Sequence, residues 1–123
     1  MEYFSTIGKI AYEGNRSDNP LAFRFYDPDA VVGGKSMKDQ LKFAMSYWHT
    51  MCAGGRDMFG AETFDKTYGA PDGMERAFHR ADAAFELMQK LDLDYFCFHD
   101  YDLIPESPSL RKTTVGSTQF PII

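Results

Sequence analysis

The chain has no run of roughly 18 apolar residues, the length a membrane-spanning helix needs, and none of its 123 residues reads as part of a transmembrane span. Its first residues, MEYFSTIGKIAYEG, lack the continuous apolar centre of a secretion signal, so a soluble, non-exported, cytoplasmic protein is expected. Basic charge is also in deficit. Thirteen Lys and Arg stand against 18 Asp and Glu, giving a formal charge of -5 and a pI near 5.0. No local cluster of lysine and arginine reverses that balance, which argues against nucleic acid or an anionic membrane as partner. Cysteine is limited to Cys52 and Cys97, both in apolar runs, with no CxxC pair and no disulfide framework. Reduced, buried thiols are the expectation. Repeats with a period of roughly 20 to 50 residues and low-complexity tracts are absent as well, which removes solenoids and repeat arrays from consideration.

What is present suffices for one domain: 44% apolar residues, 15% of all residues being aromatic, can build a single core at this length. The first 34 residues are broken by turn signals, GNRSDNP at 14–20, DPD at 27–29 and Gly33-Gly34. They read as an extended arm packed on something else, with LAFRFY at 21–26 open to either coil or a short edge strand. Ser36-Met-Lys-Asp39 has the S-x-x-D form of a helix start, and a short helix over 37–42 is expected. FAMSYW at 43–48 reads as a buried strand. A glycine-rich loop follows from Met51 to Asp72, longer than compact domains usually tolerate without a function or a partner.

Residues 73–91 carry the clearest periodicity. Met74, Ala77, Phe78, Ala81, Ala84, Phe85, Met88 and Leu91 recur at steps of three and four, with Glu75, Arg76, Arg80, Asp82, Glu86 and Lys90 mostly on the other side. An amphipathic helix is predicted, capped by Asp72 and helped by the Glu86–Lys90 spacing. The run YFCF at 95–98 then supplies a second strand. Strand, helix, strand implies a βαβ unit with both strands parallel, and in parallel α/β folds functional residues gather at the C-terminal strand ends. Those ends are Trp48-His49 and His99 to Asp102. An imidazole can move a proton near neutral pH, and an aspartate three residues on can fix its tautomer through the other ring nitrogen. Taken alone, H-x-x-D at a strand end is more often a polar turn or a satisfied structural histidine than a catalytic pair. His49 reads as packing, His79 as solvated on the polar helix face, and Asp100 as outside the site. Ser107-Pro108 announces another helix that Thr113, Thr114, Val115 and Gly116 fail to sustain.

YF at 3–4, GKIAYEG at 8–14, NPLAF at 19–23, GGKSMKD at 33–39, YWHT at 47–50, FGA at 59–61 and KLDLDYFCFHDYDLIPE at 90–106 are together similar to the N-terminal part of the xylose isomerases, of the class with the longer N-terminal extension. The resemblance runs over about residues 2–114. It implies an aldose–ketose isomerase interconverting xylose and xylulose, and also glucose and fructose, built as a TIM (β/α)8 barrel, assembled as a homotetramer and using two divalent metal ions (magnesium, manganese or cobalt). It places the sugar ring-opening pair on His99 and Asp102, a pocket-lining tryptophan on Trp48, and on Phe59 a phenylalanine that reaches into a neighbouring subunit's site.

The loop segment ETFDKTYGAPDG lacks the tryptophan and proline usual in that family, and from about Val115 the resemblance stops. Two candidate barrel strands cannot close an eight-stranded barrel of typically about 250 residues. The chain therefore reads as the α/β start of a TIM barrel, incomplete: an extended arm over 1–35, a βαβ start over 36–106, and an aberrant, truncated or frame-shifted tail over 107–123. The strands carrying the family's metal ligands fall outside it, so no metal-binding residue is assigned. An isomerase fragment inactive alone is one expectation; a non-catalytic α/β module associating with intact isomerase subunits is the other. A different enzyme of the barrel superfamily fits less well.

Overall fold

A computed structural model describes residues 1–71, 73–105 and 107–111 of the chain; the expected Asp72 cap and the tail beyond Arg111 lie outside the described residues. The order is β1 (Val31–Val32), β2 (Lys35–Ser36), α1 (Met37–Gln40), β3 (Ala44–Ser46), a π-helical turn (Trp48–Cys52), α2 (Gly73–Leu91), β4 (Tyr95–Cys97) and α3 (Asp100–Leu103). The architecture is mixed α/β. Strands β3 and β4 pair in parallel, in the register Ala44 to Tyr95, Met45 to Phe96 and Ser46 to Cys97, with α2 as the crossover. The inferred βαβ unit is present.

Helix α2 begins and ends where its periodicity says. At its C-terminus the Leu93 amide donates to the Met88 carbonyl (2.9 Å) and Asp92 N–H to the Gln89 carbonyl (3.3 Å), while Asp92 takes φ 57°. This is a left-handed C-terminal cap of the kind glycine usually fills. Aspartate tolerates that conformation better than most residues, and its carboxylate is gripped there by Lys9 at 3.4 Å and Lys38 at 3.0 Å. The buried face of α2 is Ala77, Ala81, Ala83, Ala84 and Met88. Phe78 and Phe85, expected in the core, are exposed (37% and 47%), whereas Ala83 is fully buried.

The core joins Met45, Tyr47 and Met51 to Ala83, Ala84, Met88 and Leu103. FAMSYW does not continue as a strand to Trp48. Tyr47 turns to helical angles (φ −57°, ψ −46°) and the Ala53 amide donates to the Trp48 carbonyl at 2.9 Å. The reason is packing: Tyr47 and Met51 are both 1% exposed and belong to one core cluster, and a helical turn brings residues four apart to neighbouring positions, whereas a strand would set them roughly 13 Å apart. The expectation of fully buried strands also fails. In β4, Tyr95 and Cys97 are exposed and Phe96 half-buried, in a sheet of only two strands among the described residues. Cys97 is thus exposed and Cys52 half-buried, not the pair of buried thiols expected.

The arm is docked. Residues 21–26 are coil but for one bridge between Tyr12 and Phe23, and β1 with β2 forms a small antiparallel hairpin leading into the Ser36 cap, whose Oγ accepts from the Asp39 amide. Further back, the Glu86 carboxylate on α2 accepts the amides of Tyr3 (2.6 Å) and Phe4 (2.9 Å), and Lys90 Nζ donates to the Phe4 and Ile7 carbonyls. Partial burial pushes the Glu86 carboxyl up, but the two amides and Lys90 outweigh it and hold it below the usual carboxylate range. A lowered folded-state value stabilises the docked arm above the ordinary glutamate value of about 4.3 and ceases to do so as pH falls through the lower folded value. On acidification below about pH 4 the Tyr3 and Phe4 amide resonances are therefore expected to lose their hydrogen-bonded shifts while α2 resonances persist, and Glu86→Gln should free them at neutral pH. Retained shifts in that variant would show that the arm is held by other contacts.

Candidate active site

At the C-terminal end of β4, Asp102 folds back on His99 from the first turn of α3. Its Oδ2 accepts from the His99 backbone amide at 2.8 Å and lies 3.0 Å from His99 Nδ1. The carboxylate is 5% exposed and the imidazole 46% exposed. A carboxylate at Nδ1 makes that nitrogen the protonated one, so Nε2 is the atom that can accept or return a proton. The buried acid thus holds a solvent-facing imidazole in one tautomer and one orientation.

The π-helical turn brings Trp48 to the same place. Its ring centroid is 4.5 Å from that of His99, and His99 stacks on Tyr101 at 5.1 Å with an interplanar angle of 2°. Trp48, His99 and Tyr101 form one aromatic band at the strand ends, a surface suited to the C–H face of a sugar. His49, read as packing, is exposed on the π-helical turn beside Trp48, centroids 5.5 Å apart. Asp100 accepts from the Tyr101 amide at 2.9 Å and stays exposed.

Three of the four expected site residues, Trp48, His99 and Asp102, are brought together. Phe59 is not: it is 89% exposed at the tip of the long loop, where its amide is held only by the Asp57 carboxylate (2.7 Å). The loop is anchored at both ends of the tip. Gly55 at φ 77° lies so close to Thr63 and Phe64 that a Cβ would come within 2.7 Å of the Phe64 ring, which is why two glycines stand there. At the far end the Tyr68 hydroxyl donates to the Met51 carbonyl at 2.8 Å, and burial pushes that phenol up to about 12. His79, expected in solvent, is half-buried beneath this anchor with Nδ1 3.0 Å from the Tyr68 carbonyl and its ring edge-on to Tyr3.

Sequence reasoning missed Arg80, read as an ordinary polar-face residue. Its Nη1 donates to the Asp102 carbonyl at 3.3 Å and to Cys52 Sγ at 3.4 Å. The signal was available: Arg80 stands three after Ala77 and four before Ala84, both buried, so helical spacing places it at the margin of the core-facing stripe.

No family model matches the chain. A search of curated proteins finds 51% identity over 114 residues to a xylose isomerase of Thermotoga petrophila, covering 92% of this chain and 26% of the relative. The chain is similar to xylose isomerases along nearly its whole length. A xylose isomerase of Bacillus cereus is 48% identical over 113 residues, covering 92% of this chain and 25% of the relative, and one of Thermoanaerobacter pseudethanolicus is 49% identical over 114 residues, with shares of 92% and 26%. The chain thus spans about a quarter of the length of these isomerases. Among the described residues, no group of three or more His, Cys, Asp and Glu side chains is arranged to hold a metal ion. No helix among them is long and apolar enough to cross a membrane.

Proposed function

We propose that this chain is the first part of a xylose isomerase, the start of its TIM barrel, and that His99 and Asp102 form the pair that opens the sugar ring. The observation that carries the reading is the 3.0 Å contact between His99 Nδ1 and a buried Asp102, placed where a parallel βαβ unit presents its chemistry. His99 Nε2 exchanges the proton of the ring oxygen and the anomeric hydroxyl as the cyclic aldose opens, and Asp102 stabilises the imidazolium while the proton resides there. Trp48 and Tyr101 flank the imidazole and offer flat apolar faces to the C–H side of the sugar. Phe59 serves a second subunit of a homotetramer, which accounts for a large apolar ring 89% exposed on a well-anchored loop. The arm over 1–35, the βαβ start over 36–106 and the tail over 107–123 divide the chain, in a cytoplasmic enzyme.

In the whole isomerase two divalent metal ions would supply the Lewis acid for the hydrogen shift between the two carbons. The residues described here do not fit a metal centre, so this chain's own share of the chemistry ends with ring opening. Xylose offered to the purified 123-residue chain with magnesium, manganese or cobalt should yield no xylulose by a colorimetric ketose assay. Turnover above a His99→Gln control would overturn the assignment of hydrogen transfer to residues beyond it.

A second reading, a non-catalytic module that binds intact isomerase subunits, is favoured by one feature: β4 and the outer side of α2 leave Tyr95, Phe98 and Phe85 exposed. Co-purification with the Thermotoga petrophila isomerase would support that reading, and a chain that stays monomeric beside it would not.

A further inference from the structure

Asp102 is the one buried charged residue among the described side chains that form the core, yet its carboxylate is held only through His99. What fixes its backbone comes from α2 and the π-helical turn. Arg80 Nη1 reaches the Asp102 carbonyl at 3.3 Å and Cys52 Sγ at 3.4 Å, and Cys52 Sγ lies 3.8 Å from the same carbonyl. Burial pushes the Cys52 thiol up against the opposing pull of Arg80, so the sulfur keeps its hydrogen and donates weakly to that oxygen. Around this knot stand Tyr47, its hydroxyl buried, and Tyr68 on the Met51 carbonyl. Lys66, the other nearby cation, donates instead to the Thr50 carbonyl at 3.0 Å.

We propose that Arg80 is the positioning residue of the His99–Asp102 pair: by gripping the Asp102 carbonyl it sets where the carboxylate meets the imidazole. The inference rests on reading that pair as the ring-opening couple. A half-buried guanidinium whose Nε has no hydrogen-bond partner among the described residues costs desolvation that a surface arginine avoids. That cost is offset where the charge makes a bond to a backbone oxygen, since charge-assisted hydrogen bonds are the stronger ones. Without it, α3, a four-residue turn with no long-range backbone bond of its own, is left to the weak Cys52 Sγ contact at 3.8 Å and the side chains of Asp102 and Leu103.

Trp48 reads the geometry directly. It is the only tryptophan, its ring lies 4.5 Å from His99, and an imidazolium at that distance quenches indole emission whereas neutral imidazole does so weakly. In the 123-residue chain carrying His49→Gln, emission is expected to fall on acidification as the imidazole beside the indole gains charge, and adding His99→Gln should abolish that step. Arg80→Met, which keeps the apolar stem and helix propensity, should at least halve the quench amplitude with α2 intact by far-UV circular dichroism, and Arg80→Lys should recover most of it. Unchanged amplitude in Arg80→Met overturns the proposal. Loss of α2 in both variants also overturns it, by making Arg80 a residue of the core. No sugar enters this measurement, so a His99 that proves dispensable for turnover would leave its result standing and fail only the ring-opening reading.

Discussion

Joined to the remaining three-quarters of the Thermotoga petrophila isomerase, residues 1–111 are expected to give an active enzyme whose turnover of xylose falls about 10²- to 10⁴-fold when His99 becomes Gln, the range that positioned acid–base groups supply. Glutamine keeps the size and a hydrogen-bond donor but cannot carry a proton between oxygens. Asp102→Asn should fall less far, because the amide can still meet the ring but no longer favours the tautomer with hydrogen on Nδ1. Its carboxylate is 5% exposed against 46% for the imidazole, so the acid never meets substrate and its effect is felt through His99. The double variant should then lose little more than His99→Gln alone, as groups acting as a unit do. Supplying substrate already in the open-chain form should restore much of the loss in both, since ring opening is the step removed. A His99→Gln enzyme within ten-fold of the parent on cyclic xylose would end the ring-opening assignment.

The juxtaposition of Trp48, His99 and Asp102 in the candidate site was legible because its parts are local in the chain or fixed by topology. His99 and Asp102 are three residues apart, and an acid at that spacing after an extended residue folds back on it as α3 begins. Trp48 was placed by topology, since parallel strands joined through α2 must put their C-terminal ends side by side. The conformation at Trp48 was not legible: the apolar run FAMSYW fits a strand and a helix alike, and the choice was made by burial of Tyr47 and Met51 against Ala83, Ala84 and Met88. For Arg80 the helical spacing showed a place at the margin of the buried stripe but not the partner it meets there. A charged residue in an amphipathic pattern is assigned to water, and only the distant Asp102 carbonyl gives it a reason to turn inward. The exposure of Phe85, Phe98 and Tyr95 depends on what packs over each of them, which strand-by-strand reasoning treats as given.

Met51→Ala is expected to cost about 2–5 kcal/mol, the range for removing a large side chain from a packed interior. Met51 is 1% exposed and lies among Met45, Tyr47, Ala83, Ala84, Met88 and Leu103. Two of those six neighbours, Ala83 and Ala84, are alanines fixed on α2 and cannot reach into the void, which leaves only Met45 and Met88 to fill part of it. Small domains have roughly 5–15 kcal/mol in total, and a two-stranded sheet with an open side sits toward the lower end, so this single truncation should abolish a cooperative urea transition. The same π-helical turn carries Trp48, whose emission should shift red as the turn loosens. Phe59→Ala, eight residues on in the same connection but 89% exposed, should change the urea midpoint by no more than about 0.5 kcal/mol equivalent. The contrast would separate two jobs of one connection: Met51 holding the fold that carries His99, and Phe59 adding nothing to it, as the reading of that ring as one for a neighbouring subunit requires. Equal destabilisation by the two variants would place Phe59 in this chain's own core and remove the reason to look for it in a neighbour's site.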